Sequence, residues 1–288
     1  RYENLKPVFA DIDETLCLDP ESIKRKITAR TKAVVYVGIG GNAGKLSQVK
    51  EICEANKLIF ILDAAHMAGT YYQNKHVGSE ADCAVFSFQA VKNLPTADGG
   101  MICFRDAELD KKARIWSWMG INKDTYARSN LVKGDYKWYY DVQCVGLNAH
   151  GNSVIASIGL VELKYLEQGN ARRREICRQY LKYLSGQPEI GLIEFADDCL
   201  PSRHLFQIRV RPEWRDELMT YLNAKEIYPG VHYRVNTEYE MYRYALGSCP
   251  RAELAAKEVI SLPLHLRLTD EEVAYVAQNV IEFLDSKK

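Results

Sequence analysis

The chain has 288 residues, of which 47% are hydrophobic and 26% charged, the proportions of a soluble globular protein with one large or two modest domains. Its 38 basic and 38 acidic residues give a formal net charge of zero, which argues against a general nucleic-acid binder and against a polybasic membrane anchor. No run of about 18 apolar residues occurs, so we expect no transmembrane helix. The eight cysteines are widely spaced without a C-x-x-C pair, which predicts reduced thiols and a cytoplasmic protein.

Apolar, β-branched runs alternate with helical patterns in the first half of the chain. A helix is predicted over 20–28, with Asp19 or Thr15 as its cap and Pro20 at its first position. Because the strands lack polar alternation and are joined by helices, they predict a parallel or mostly parallel sheet covered on both faces. The predicted strands lie at 7–12, 31–37, 58–63, 81–88 and 99–104. The further helices are predicted at 45–57, with Leu46, Val49, Ile52 and Cys53 on one face, and at 108–120.

The pattern changes after about residue 150, where a long helical stretch begins and Gly169 is expected to break or kink it. Three consecutive arginines, 172–174, point to different faces of that helix, which predicts a solvated surface rather than an anion site. Later segments are helical with sparse strands. We therefore predict a large α/β domain over 1–165 and a small C-terminal α+β domain over 166–288. The later elements are a strand at 203–210, helices at 212–227 and 252–259, an extended segment at 259–265 and a final helix capped by Thr269.

One candidate ligand site is a dinucleotide fingerprint. The strand at 31–37 leads into a Gly-x-Gly-x-x-Ala pattern formed by Gly38, Gly40 and Ala43, and the next strand ends at Asp63. In such a site a pyrophosphate lies on a helix N-terminus and the acidic residue binds a ribose hydroxyl. The same glycines also suit a strand that simply turns sharply into a helix. An NAD-binding Rossmann oxidoreductase therefore stays open as a distant alternative.

A second candidate site pairs Asp63 with Lys92. Asp63 ends one strand, and Lys92 follows the next long strand in the segment FSFQAVKN. Open α/β sheets bind ligands at the carboxyl ends of their strands. A lysine there can form a Schiff base with the aldehyde of pyridoxal 5'-phosphate (PLP), and a carboxylate can keep the pyridine nitrogen protonated. The alternatives are a solvated loop lysine and a helix-capping carboxylate.

The segments around this pair resemble the DegT/DnrJ/EryC1/StrS family of sugar aminotransferases, which are fold type I PLP enzymes. The resemblance covers essentially the whole chain. It implies an α/β fold with a mostly parallel sheet sandwiched by helices, followed by a smaller α+β domain. The matching segments, in order, are DAAH at 63–66, FSFQAVKN at 86–93, DGG at 98–100, GLNAHGN at 146–152, HLFQIRV at 204–210, GVHY at 230–233 and SLPLHLRLTDEEV at 261–273.

The resemblance implies a role for individual residues. Lys92 would bind the cofactor covalently and, once released, move a proton between substrate and cofactor. Asp63 would pair with the pyridinium nitrogen, and Ser87 would donate a hydrogen bond to the cofactor phosphate. Asn148 would reach the phosphate in the partner subunit, which implies a homodimer with shared active sites. His66, where many relatives have Gln, would contact the ring oxygen of the cofactor or pack at its edge, or would be a structural histidine.

Three further residues are candidates for binding substrate. His150 stands where the family commonly has Arg, so the contact made there is open. His232 and Tyr233 would line the sugar end of the cleft, or pack against each other. The implied reaction moves an amino group, expected from L-glutamate, to a keto group of a nucleotide-linked deoxysugar for amino-sugar or polysaccharide biosynthesis. Lys92 argues against the dehydratase branch of the family, in which histidine replaces this lysine.

The start of the chain differs from the family pattern. The sequence begins at Arg1, whereas members of the family carry about 80–100 residues before this point. That part would hold a phosphate-binding loop and an aromatic residue stacked on the cofactor. A fragment, a misassigned start and a degenerate non-catalytic paralogue are therefore three alternatives. We expect the chain alone to be poorly active and to expose apolar sheet surface.

Overall fold

The computed structural model describes residues 3–123, 136 and 138–288. The helices are α1 (Pro20–Lys26), α2 (Leu46–Ala55), α3 (Ala107–Ser117), α4 (Ser153–Leu184), α5 (Pro212–Ala224), α6 (Pro250–Glu258) and α7 (Asp270–Asp285). The strands are β1 (Ala33–Val37), β2 (Ile59–Asp63), β3 (Tyr71–Tyr72), β4 (Lys75–His76), β5 (Cys83–Ser87), β6 (Gly100–Phe104), β7 (Gly191–Leu192), β8 (Cys199–Leu200), β9 (Phe206–Arg209) and β10 (Val259–Leu262). Within these residues, no helix combines the length and apolar character needed to cross a membrane.

A four-stranded sheet in the order β1-β2-β5-β6 dominates the first half of the chain. Strands β1, β2 and β5 run parallel, and β6 is antiparallel to β5. This arrangement confirms the predicted mostly parallel α/β fold. In the register of the sheet, Asp63 pairs with Val37 on one side and Val85 on the other. The carboxyl ends of the three parallel strands therefore meet at one edge.

The two faces of this sheet differ in burial. Alternate strand residues, among them Tyr36 and Leu62, are buried with α2 in one apolar core. The apolar stripe predicted for α2 accounts for this packing, because Leu46, Val49, Ile52 and Cys53 are all buried. On the opposite face, four apolar residues each have 38–53% of their surface exposed in the part of the chain that the structure describes. They are Val35, Val37, Ile59 and Val85.

A second apolar core lies in the C-terminal half of the chain. The antiparallel sheet β10-β9-β7 packs there against α5, α7 and the C-terminal half of α4. Helix α7 begins with a reciprocal capping box, in which Thr269 accepts from the Glu272 amide and the Glu272 side chain accepts from the Thr269 amide. The largest fully buried side chains of this core are Ile176, Tyr180, Leu184, Ile208, Leu218, Leu222, Ile260 and Leu284.

Helix α4 differs from the sequence expectation in two ways. It is continuous through Gly169, because a single glycine costs a helix interior only about 1 kcal/mol and Leu266 packs there, with its Cδ1 3.4 Å from where a Cβ would be. The three arginines do not form a solvated surface; each donates to a backbone carbonyl of another segment and so ties α4 to it. The pairs are Arg172 to Leu268 (2.7 Å), Arg173 to Leu264 (3.1 Å) and Arg174 to Pro201 (3.4 Å).

The segment before α1 also departs from its prediction. Residues 7–12 form no strand, and only an isolated bridge joins Ile12 to Leu18. The apolar run is instead interrupted by Asp11, whose carboxylate accepts hydrogen bonds from backbone amides at the start of α6. This segment therefore links the two halves of the chain.

Candidate active site

Asp63 and Ser87 lie at the sheet edge where β2 and β5 end. Asp63 pairs with Val85, and Ser87 follows two residues later, so both side chains are on the same face of the sheet. One carboxylate oxygen of Asp63, Oδ1, accepts from the Ala65 amide at 3.1 Å. Among the described residues, the second oxygen takes part in no hydrogen bond. Asp63 can therefore receive a positively charged N–H group at this edge.

Lys92 lies in a turn that follows β5. Its amide donates to the Gln89 carbonyl at 2.9 Å, and the Gln89 amide lies 3.4 Å from Ser87 Oγ. Burial lowers the pKa of the half-buried Lys92 amine, and the charge of Asp63 acts in the opposite direction. The amine is thus closer to its neutral, nucleophilic form than an exposed lysine would be.

Asn93 fixes the position of this turn, and the sequence analysis missed it. Its Nδ2 donates to Asn170 Oδ1 of α4 at 2.8 Å and to the Ser202 carbonyl at 2.9 Å. Its Oδ1 lies 2.9 Å from His204 Nδ1. Because Nδ2 is the donor in two bonds, His204 must donate to Oδ1. These partners are distant in sequence, so adjacency to Lys92 was the only available signal.

His66 is buried behind this edge. Its Nδ1 accepts from the Gly40 amide at 3.2 Å, and its Nε2 lies 3.1 Å from the Tyr233 hydroxyl. The ring centroid of His204 is 4.3 Å away. Burial lowers the pKa of His66 to about 3, and the charge of Lys92 acts in the same direction. The histidine is therefore neutral at physiological pH.

His232 and Tyr233 come from the C-terminal half and reach the same place. His232 Nδ1 lies 2.8 Å from Ser261 Oγ, and its carbonyl accepts from Gln207 Nε2 at 2.7 Å. Burial and the charge of Lys92 both lower the pKa of His232. The structure thus brings Asp63, His66, Lys92, His232 and Tyr233 together, with Ser87 at the same edge.

Asn148 and His150 lie elsewhere, beside the end of α3. The backbone of Asn148 forms an isolated antiparallel β-bridge with that of Trp118, and the ring centroids of His150 and Trp118 lie 4.6 Å apart. Both residues are exposed. In the part of the chain that the structure describes, no hydrogen bond joins either one to the cluster around Lys92.

The dinucleotide hypothesis is wrong. Residues Ile39–Gly41 form a 3₁₀ turn, and α2 begins only at Leu46. The Gly40 amide already donates a hydrogen bond to His66 Nδ1, and a Cβ on Gly41 would lie 2.4 Å from Ser202 Oγ. The glycines therefore allow close packing and positive φ angles rather than leaving an open cradle for a pyrophosphate.

The residues at the sheet edge fit PLP. A carboxylate oxygen without a partner among the described residues suits the pyridinium N–H, and a half-buried lysine suits the aldehyde. The mostly parallel sheet with both groups at its carboxyl edge is that of a fold type I PLP enzyme.

Known proteins identify the class more closely. The family model of the DegT/DnrJ/EryC1/StrS aminotransferase family matches residues 1–281. The spore coat polysaccharide biosynthesis protein SpsC of Bacillus subtilis (strain 168) is 33% identical over 284 residues, covering 95% of this chain and 72% of the relative. The chain belongs to this aminotransferase family, whose members depend on PLP, and it is a PLP-dependent sugar aminotransferase.

Two solved structures support this assignment. The aminotransferase TlmJ from Streptoalloteichus hindustanus has a TM-score of 0.88 at 32% identity, covering 98% of this chain and 74% of that one. Helicobacter pylori PseC, an aminotransferase involved in the biosynthesis of pseudoaminic acid, has a TM-score of 0.89 at 28% identity, covering 99% and 75%. The fold of the present chain is thus the fold of the family.

Proposed function

We propose that this protein transfers the amino group of L-glutamate to a keto group of a nucleotide-linked deoxysugar, for amino-sugar or polysaccharide biosynthesis. The observation that carries the proposal is the placement of Lys92 and Asp63 at one sheet edge, with the Lys92 amine partly desolvated. The names of SpsC and PseC, which refer to polysaccharide and pseudoaminic acid biosynthesis, support the substrate class.

Lys92 and Asp63 have complementary tasks in this proposal. Bound PLP supplies an aldehyde for covalent attachment and a ring that accepts electrons. Lys92 Nζ holds the cofactor at rest and, when free, takes a proton from the donor carbon and returns one to the acceptor carbon. A lowered pKa favours attachment of the cofactor and removal of a proton, because both need the neutral amine. The ammonium group formed by that removal is the form that returns a proton. Asp63 holds the proton on the ring nitrogen.

The other predicted residues bind the cofactor or the substrate. Ser87 Oγ donates to the cofactor phosphate from the same face of the sheet as Asp63. Asn148, exposed beside α3, reaches the cofactor phosphate in the active site of a second copy, so the functional unit is a homodimer. His150, exposed beside it, is a candidate for binding substrate. His232 and Tyr233 contact the sugar. A cytoplasmic location is supported by the eight cysteines, all of which are free thiols.

An isotope-transfer assay tests the proposed reaction. The protein is loaded with PLP and incubated with ¹⁵N-labelled L-glutamate and a nucleotide-linked 4-keto-6-deoxyhexose. We expect a ¹⁵N-amino sugar and an equal amount of 2-oxoglutarate by mass spectrometry, and neither with Lys92→Ala. If glutamate releases its label but no labelled sugar forms, the proposed class of amino acceptor is wrong. If glutamate releases no label at all, L-glutamate is not the amino donor.

A further inference from the structure

The hydrogen bonds of His66 determine which of its nitrogens carries the proton. The Gly40 backbone N–H donates to Nδ1 at 3.2 Å, and a backbone amide can only be a donor. Nδ1 therefore presents its lone pair. A neutral imidazole has one N–H, so in His66 that N–H is on Nε2.

This tautomer fixes the direction of the next hydrogen bond. Nε2–H of His66 donates to the Tyr233 hydroxyl oxygen at 3.1 Å. Since the oxygen of Tyr233 accepts this bond, its own O–H hydrogen points elsewhere. His66 is 6% exposed, whereas Tyr233 is 50% exposed. The hydroxyl hydrogen of Tyr233 is thus available on the solvent-exposed side of the His66–Tyr233 pair.

The surroundings of His66 keep it neutral. The ionisable groups around it are Lys92 from the turn after β5, His232 and Tyr233 from the segment after α5, and His204 from the segment before β9. Asp63, at the end of β2, belongs to the same cluster, where its charge acts on Lys92 and Tyr233. Within the described residues, no carboxylate forms an ion pair with His66. Burial and the charge of Lys92 both oppose a second proton on its ring, so the polarity of the hydrogen bond does not reverse.

We propose that His66 is a positioning residue that makes Tyr233 a one-way hydrogen-bond donor, and that the Tyr233 hydroxyl donates to an oxygen of the sugar substrate. The proposal rests on the sugar-acceptor reaction proposed above. A single neutral donor suits a hydroxyl or carbonyl oxygen, whereas a carboxylate such as that of glutamate is typically bound by a cation. The exposed position of Tyr233 also suits a ligand that arrives from solvent.

Tyr233→Phe tests the role of the hydroxyl. We expect the KM for the keto sugar to rise about tenfold, the effect of losing one neutral hydrogen bond. The single-turnover rate of the half-reaction with L-glutamate should change by a much smaller factor, because that half-reaction does not involve the sugar. Tyr275→Phe on α7, whose hydroxyl bonds only the Lys225 carbonyl at 3.4 Å among the described residues, is the matched control. An unchanged KM, or equal slowing of both half-reactions, would overturn the proposal.

Two variants of His66 test its positioning role. His66→Gln retains an acceptor for the Gly40 amide and a donor for Tyr233, so the KM for the keto sugar should stay within about threefold of wild type. His66→Leu removes both and should reproduce the KM of Tyr233→Phe. If His66→Leu leaves the KM unchanged, His66 does not act through Tyr233.

A measurement without cofactor or substrate tests the tautomer itself. Long-range ¹H–¹⁵N spectra of the cofactor-free protein at pH 7 should show a neutral Nε2–H histidine whose signals disappear in His66→Gln. A neutral Nδ1–H tautomer or a protonated ring would overturn the inference. This result does not depend on the reaction, whereas a wild-type protein that fails to react with L-glutamate would refute the proposed function alone.

Discussion

At Lys92, burial and charge act in opposite directions on one amine. Removal from water favours the neutral form and lowers the pKa, while the carboxylate of Asp63 favours the charged form. Burial dominates, so the position of Lys92 at the sheet edge favours the neutral form of its amine. The Asn93 side chain maintains that position with hydrogen bonds to α4 and to the segment before β9.

His66 and His204 make the stability of the protein sensitive to acid. Burial lowers their pKa values from 6.5 to about 3 and about 2. Below pH 6.5 the unfolded chain therefore binds protons that the folded protein does not, and stability falls as the pH falls. At pH 5 each histidine should cost about 2 kcal/mol of the free energy of unfolding. Urea unfolding at pH 7.5 and pH 5 measures this loss.

A pair of variants isolates the contribution of one histidine. His204→Gln should lose less stability than wild type between the two pH values, by about 2 kcal/mol. His265→Gln, at an exposed position, should keep the wild-type dependence. The same pH dependence in both variants would show that His204 takes up protons as readily in the folded as in the unfolded protein.

Among the elements, those with local signals were predictable. Asp19 and Pro20 marked the start of α1, Thr269 marked α7, and the apolar spacing of α2 identified its buried face. The predictions were wrong where contacts between residues distant in sequence determine the structure. Gly169 does not break α4, because Leu266 packs against the helix there. Nor does the apolar pattern of β6 specify its antiparallel direction.

The start of α6 shows one such distant contact. Pro250 has no N–H, and the next two amides, of Arg251 and Ala252, donate to Asp11 Oδ2 at 3.0 Å and Oδ1 at 2.8 Å. A residue 240 positions away thus caps this helix. Asp11→Ala should lower the free energy of unfolding by about 1–2 kcal/mol in urea titrations.

Nearby variants show whether capping is the cause. Asp11→Asn keeps one acceptor oxygen and should lose less stability than Asp11→Ala. Glu14→Ala removes an exposed 3.7 Å contact with Arg251 and should change stability by less than about 0.5 kcal/mol. Equal losses for Asp11→Ala and Glu14→Ala would contradict capping by Asp11.

In the whole molecule, the active site is assembled from both halves of the chain. Motif spacing predicted Asp63 and Lys92, because both follow strands that are contiguous in sequence. The hydrogen bonds that join Asn93 with Asn170 and with His204 span 77 and 111 residues, and no local pattern encodes them. The division into domains at 1–165 and 166–288 stays a prediction, and α4 runs across that boundary.

The homodimer can be tested by mixing inactive variants. If Asn148 of one copy completes the site of the other, Lys92→Ala and Asn148→Ala should each lose most activity. A heterodimer of the two has one site with both residues intact. After subunit exchange, an equal mixture should therefore regain activity in about a quarter of its sites. A mixture no more active than its separate components would show that Asn148 serves its own copy or no site.

The central claim is that Lys92 binds PLP and passes through an amino-transfer cycle, and visible absorption spectroscopy tests it most directly. Spectra of the purified protein with PLP are recorded before and after L-glutamate, and in parallel after borohydride. We expect a visible absorption band from the PLP–lysine linkage, which L-glutamate bleaches and which Lys92→Ala lacks. Borohydride should abolish the band by reducing the linkage, and should leave the cofactor permanently attached to a peptide that contains Lys92. A band that persists in Lys92→Ala, or one that L-glutamate leaves unchanged, would contradict the account.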